Sequence, residues 1–183
     1  MHILIVENDT AVRRELREML QHLGHTVAPA ADSRDAVTVA RQRACDLAIL
    51  AGELPFGDGL HTAHKLVEAH QMPILLLLNS AADNWLADLS NLPIYGCLFQ
   101  PVRLPALHVA ISVAAERFGE TQVLFSRVRE LEEALETRKL IDRAKGKLIR
   151  MGMSEQKAFL SIQTRARRTQ KTMREVAHAI LGD

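Results

Sequence analysis

The spacing of apolar residues changes repeatedly along the first hundred positions. Residues 2–6 form a short apolar run that ends in Glu7-Asn8-Asp9. Residues 10–23 repeat at helical spacing, with Val12, Leu16, Met19, Leu20 and Leu23 on one face and Gly24 as a stop. Thr26-Val27-Ala28 predicts a short strand, and Ser33 is a candidate cap for a helix reaching about Arg43. Leu47 to Leu50 predicts a buried strand, followed by a loop with Pro55, Gly57 and Gly59 and a helix from about Leu60 to Ala69. Pro73 to Leu78 is a continuous apolar run of the kind covered on both faces of a sheet. Trp85 to Leu89 predicts a short helix, and Tyr95 to Phe99 a last strand closed by Gln100-Pro101. Strand and helix thus alternate five times, which predicts an α/β fold: a doubly wound parallel sheet with right-handed crossovers. Ligands and chemistry in such sheets sit at the carboxyl ends of the strands.

From Leu104 the strand signal stops and a helical pattern runs to about Met151, with Gly119 its weak point. Leu124, Val128, Leu131 and Leu135 step by four, three and four, a heptad seam flanked by Arg and Glu. One reading is an amphipathic helix packed on its own chain. The favoured one is a parallel homodimeric coiled coil, because the helix outruns what its adjacent domain can cover. Gly152 stands where a C′ residue ends the helix. Ser154 is placed to cap the next, with Glu155 near its positive end. Ala158, Phe159, Ile162 and Ala166 are expected on the apolar face of that helix. Thr172 is the expected cap of a final short helix, with Val176, Ala177, Ile180 and Leu181 facing inward.

Charge divides the chain more sharply than hydropathy does. The 183 residues carry a net charge of only +1, yet residues 1–137 hold 11 Lys and Arg against 18 Asp and Glu, a balance of −7. Residues 138–183 hold 12 Lys and Arg against 4 Asp and Glu, a balance of +8. An acidic body with a basic end points to a polyanion partner for that end. Arg143, Lys147 and Arg150 fall on one helix face, Lys145 is offset from them, and Arg165, Arg167, Arg168, Lys171 and Arg174 cluster near the last turn. Such a cluster contacts phosphates and makes binding salt-dependent. A single Trp and a single Tyr argue against the aromatic platforms of single-strand binders.

Several function classes drop out. The N-terminus has no basic region before its apolar run, so no signal peptide is expected, and no run is long enough to span a membrane. Cys45 and Cys97 sit among apolar residues and read as buried hydrophobes in a reducing cytoplasm. His61 and His64 are spaced i, i+3 without a third ligand nearby, so no metal site is expected. With neither a Gly-rich phosphate loop nor a nucleophile elbow, neither an enzyme nor a cofactor is expected.

The order of elements over residues 1–116, the acidic cluster after the first strand, the Leu54-Pro55-Phe56-Gly57-Asp58-Gly59-Leu60 loop and the Pro101 turn resemble the receiver domain of bacterial response regulators, a flavodoxin-like fold. The resemblance implies positions for an acidic pair holding Mg²⁺, a phosphoryl-accepting aspartate, a hydroxyl and a lysine. Those positions hold Glu7 and Asn8, Ala51, Leu78 and Gln100. Alanine offers no nucleophile, and Glu53 lies two residues along. A pseudo-receiver is therefore expected, with the fold kept as a binding platform and the switch chemistry lost.

Residues 124–183, overlapping a coiled-coil linker over 117–137, resemble an ANTAR domain, the RNA-binding module of AmiR- and NasR-type transcription antiterminators. Ala144-Lys145-Gly146 with Leu148, Gly152, Ser154-Glu155, Ala158-Phe159 and Glu175-Val176-Ala177 carry the resemblance. Lys147 departs from it, standing where the family usually has an apolar residue. The AmiR-type resemblance implies capture of paired hairpins in a nascent leader transcript. It also implies silencing by a ligand-sensing protein of periplasmic-binding-protein fold. RNA contacts are expected from Arg143, Lys145, Lys147, Arg150, Arg165, Arg168, Lys171 and Arg174, and dimer contacts from Leu124, Val128, Leu131 and Leu135. The alternatives are a DNA-binding regulator or an adaptor for an acidic protein. The last helix, with a single Arg, fits poorly as a groove-reading element.

Overall fold

The computed structural model describes residues 1–55, 57–79 and 94–182. The chain divides into two compact units, Met1–Gln122 and Val123–Asp183. In the first, β1 (His2–Val6), β2 (Thr26–Ala30), β3 (Leu47–Ala51), β6 (Ile74–Leu78) and β7 (Ile94–Phe99) form a parallel sheet in the order β2-β1-β3-β6-β7. The order reverses beside β1, as in doubly wound sheets. Helices α1 (Thr10–His22), α2 (Ser33–Gln42) and α3 (Gly59–Ala69) connect the strands. The helix expected over 85–89 lies outside the described residues.

The unbroken apolar runs in β1, β3 and β6 follow from burial on both faces. Leu4, Val6, Leu50 and Leu76 point to one side, against Ala36, Ala40 and Leu66 of α2 and α3. Ile3, Ile5, Ile49, Leu75 and Leu77 point to the other, against Leu16 and Leu20 of α1 and Leu107, Ile111 and Ala114 of α4 (Leu104–Arg150).

Three local expectations in the first unit need correction. Cys97, expected to be a buried hydrophobe, is exposed, and Cys45 is only half-buried. Asp32, not Ser33, caps α2: its Oδ1 accepts from the Arg34 and Asp35 amides at 2.8 and 2.9 Å. A carboxylate serves a helix's positive end better than a hydroxyl. Ser33 turns inward instead, accepting from the Thr62 hydroxyl at 2.8 Å and tying α2 to α3. The loop after β3 contains a small antiparallel pair, β4 (Glu53–Leu54) with β5 (Gly57–Asp58). Gly59 begins α3 so close to β3 that a Cβ there would lie 2.6 Å from the Ala51 carbonyl oxygen, which requires glycine.

Helix α4 runs unbroken for 47 residues through Gly119. One glycine costs a helix about 1 kcal/mol, less than the packing of Leu107–Ala114 in the first unit and Ala144–Leu148 in the second supplies. Among the described residues, no helix is long and apolar enough to cross a membrane.

The second unit packs the end of α4 against α5 (Glu155–Thr169) and α6 (Met173–Leu181). Its core is mostly small: Ala144, Leu148, Ala158, Ile162, Ala166, Val176 and Ala177. Gly152, at φ +98°, closes α4: its amide donates to the Ile149 carbonyl and the Met153 amide to that of Leu148. This is a Schellman motif, which favours glycine at the left-handed position. Ser154 caps α5, and Thr172 and Glu175 form a capping box on α6. Phe159 departs from expectation. It is 41% exposed rather than part of the apolar face. Ala158, Ile162 and Ala166, four apart, make a buried stripe, and Phe159 lies about 60° of helical rotation from its middle, at its edge.

Candidate functional site

At the carboxyl end of the sheet, Glu7 ends the run of β1, Ala51 ends β3, Leu78 ends β6 and Gln100 follows β7. The structure brings Glu7, Asn8, Ala51, Leu78 and Gln100 together around a cavity of about 380 Å³, with Glu53 on its rim. Glu7 is buried at 3% exposure. Its Oε1 accepts from the Asp9 amide at 2.9 Å, and the Gln100 side-chain amide approaches its Oε2 at 3.4 Å. Burial pushes the Glu7 carboxyl above its ordinary value; the Asp9 and Asn8 amides oppose that, and the Asp9 charge adds to it.

The acidic donors a receiver would offer Mg²⁺ are spent or missing. Asp9 uses its carboxylate to cap α1, accepting from the Ala11 and Val12 amides at 2.7 and 3.2 Å. Ala51 presents a buried methyl group, and Asn8 has no charge. Of the three carboxylates that line the cavity, Glu7 is buried and held by the Asp9 amide, Asp9 caps α1, and Glu53 lies two residues beyond the position where a receiver has its acceptor, so the set does not fit the metal as a receiver holds it.

In the second unit the basic residues separate into kinds. Arg143, Arg150, Arg165, Arg168, Lys171 and Arg174 are exposed. Lys145 is drawn in: its side chain is 18% exposed, and its ammonium pairs with Glu155 at 3.0 Å and Asp142 at 3.2 Å. Those hydrogen bonds, from Glu155 first, raise its pKa. Lys147 is half-buried, and its Nζ donates to the Leu181 carbonyl at 3.1 Å, at the negative end of α6. That contact accommodates the lysine within the unit by giving its charge a helix terminus.

The structure also places Lys145 and Arg174 beside two residues that charge and motif reasoning left out of the site. Together with Arg138 and Phe159, and with the carboxylates of Glu130, Glu133 and Asp142, they line a cavity of about 690 Å³ that also meets Ala134 and Ile141. Arg138 could have been found from its spacing, since it lies seven residues before Lys145 and so on the same helix face. Phe159 carried no such signal, because its spacing reads equally well as core.

The seam residues Leu124, Val128, Leu131 and Leu135 are each at least half exposed in the single chain. Ion pairs flank them, Arg127–Glu130 at 2.9 Å and Lys139–Glu136 at 2.8 Å.

Comparison with known proteins places both units. The response regulator receiver domain family matches residues 3–112, and the ANTAR domain family matches residues 129–181. The transcriptional regulatory protein PdtaR of Mycobacterium tuberculosis is 34% identical over 181 residues, 98% of this chain and 88% of that protein. The transcriptional regulatory protein AfsQ1 of Streptomyces coelicolor is 36% identical over 75 residues, 41% of this chain and 33% of that protein. Among solved structures, the N-terminal domain of a response regulator/sensory box/GGDEF protein from Carboxydothermus hydrogenoformans superposes with a TM-score of 0.61 at 25% identity, covering 67% of this chain and 99% of that one. Both matched modules are regulatory rather than catalytic. The chain belongs to the response regulators in which a receiver domain is fused to an ANTAR domain, the architecture of AmiR- and NasR-type antiterminators.

Proposed function

We propose that this protein is a cytoplasmic transcription antiterminator that binds hairpins in nascent leader RNA and is controlled by a protein partner rather than by phosphorylation. Residues 1–116 are the partner-binding pseudo-receiver, 117–137 the coiled-coil linker and 124–183 the RNA-binding module. The observation that carries the RNA reading is the coincidence of the ANTAR match, residues 129–181, with the segment whose charge balance is +8. Exposed Arg143, Arg150, Arg165, Arg168, Lys171 and Arg174 contact phosphates, Lys145 contacts RNA from the cavity rim, and Lys147 supports the fold behind them. Leu124, Val128, Leu131 and Leu135 close a parallel homodimer. Control without phosphate rests on Ala51 and on the mismatch between the donors around it and a divalent ion. The relatives matched lend no support to a partner of periplasmic-binding-protein fold, so the class of that partner is left to its chemistry.

The test compares the affinity of the purified protein for the leader transcript of its adjoining operon with that for duplex DNA of the same sequence. A clear preference for RNA is expected. Preference for DNA would overturn the RNA reading in favour of a DNA-binding regulator. No RNA affinity even at low salt would favour an adaptor.

A further inference from the structure

We propose that the second unit takes one unstacked base of an RNA loop onto the Phe159 ring, in the cavity bounded by Ala134, Arg138, Ile141, Lys145 and Arg174. This rests on the RNA reading above and names the residue through which a loop, rather than a stem, is recognised.

Three observations carry it. Phe159 is 41% exposed on the second turn of α5, so an apolar ring faces solvent beside a cavity large enough for a small planar group. The lining is mixed in charge: Glu130 pairs with Arg127 and Asp142 with Lys145, Glu133 also lines the space, and the exposed Arg138 and Arg174 are the cations that suit the phosphates on either side of an inserted base. Lys145 is also held in place. Glu155 and Asp142 fix its ammonium from α5 and α4, and Glu155 lies one turn before Phe159 on the same face. Asp142 and Glu155 are therefore positioning residues for the charge beside the ring.

The cavity borders the continuation of the heptad seam, where Arg138 and Asp142 fall, while Ala134 and Ile141 face about 100° away from it. Sequence-specific RNA recognition targets unpaired loops, whose bases are splayed onto aromatic rings. One ring accommodates one base, so a chain with few aromatic residues still serves.

The experiment uses the full-length protein and a pool of RNA hairpins with one constant stem and randomised loops. The wild type is expected to enrich a loop. Phe159→Ala then lowers affinity for that hairpin by roughly 5- to 150-fold, the effect of losing one base–aromatic stack. Phe159→Tyr and Phe159→Trp keep affinity, and Phe159→Leu, which preserves apolar bulk, loses it. The slope of log affinity against log salt stays unchanged, because a phenyl ring displaces no counterions. A 2-aminopurine at the inserted loop position is quenched by the wild type and not by Phe159→Leu. Failure of the wild type to enrich any loop would overturn the RNA reading itself. Enrichment with equal affinity for the Leu and Tyr variants would overturn this inference alone. That comparison stands even if Phe159→Ala unfolds.

Discussion

Single side chains decide several matters that composition leaves open. Lys147 donates to the Leu181 carbonyl, so its charge acts on α6. Lys147→Ala is expected to lower the stability of the C-terminal unit by about 1 kcal/mol, read as a lower urea midpoint, while Lys147→Met recovers the packing part. Lys145 behaves differently. Lys145→Glu sets a third carboxylate beside Asp142 and Glu155 and removes a cation from the cavity rim, so RNA affinity should fall while sedimentation still reports a dimer. Unchanged affinity would displace the RNA face from this cavity. Glu7 gives a pH-dependent prediction. Its folded-state pKa is raised above the ordinary 4.5, so the folded chain holds this proton more tightly than the unfolded chain. Stability from this group therefore falls as pH rises through the window above 4.5. Glu7→Gln should be more stable than the wild type near neutrality, with the advantage vanishing below that window. Denaturant melts of the two proteins across pH check the sign.

At the scale of elements, most of the architecture was legible in the sequence. Ile3–Val6, Leu47–Leu50 and Ile74–Leu78 could be read as central strands because burial on both faces leaves no polar alternation to imitate. The helix ends were legible wherever a glycine or a lone hydroxyl marked them, as at Gly152 and Thr172. Asp32 and Ser33 were ambiguous because both residue types cap helices, and only the inward partner Thr62 decides between them. Phe159 was ambiguous because helical spacing gives direction to a face but not the depth of what packs against it. That Asn8, Ala51, Leu78 and Gln100 stand at the ends of the strands was readable from residue identity, and the structure gathers them around one cavity. The grouping of Arg138, Lys145, Phe159 and Arg174 was not, because it joins three helices distant in sequence. The seam makes its own prediction. Burying a Leu in a helical interface contributes about 1.5–3 kcal/mol, so Leu131→Ala, present in both protomers, should raise the dimer dissociation constant by at least tenfold. Analytical ultracentrifugation measures it. An unchanged constant would mean that α4 pairs through another face, or not at all.

For the whole molecule, an acidic N-terminal part and a basic C-terminal part share a chain whose net charge is only +1. The logarithm of RNA affinity should therefore fall linearly with log salt. Neutralising one phosphate-contacting residue, such as Arg168→Gln, should flatten that slope by about 0.7 to 0.9. Filter binding across a salt series reads both effects. Exposure of the full chain to a small phosphodonor and Mg²⁺ should leave its intact mass unchanged, and an acyl phosphate would end the argument for a pseudo-receiver. The methyl group at Ala51 also removes a timer. An aspartyl phosphate is a reactive covalent intermediate that water eventually cleaves, so a phosphorylated receiver forgets its stimulus on a schedule set by its own chemistry. Under the proposed control by a protein partner, with nothing to hydrolyse at the end of β3, the duration of a response would pass to the residence time of that partner on the receiver. Residence times run from milliseconds to days, so a few contacts on that partner, rather than the reactivity of a carboxylate, would set how long the signal lasts.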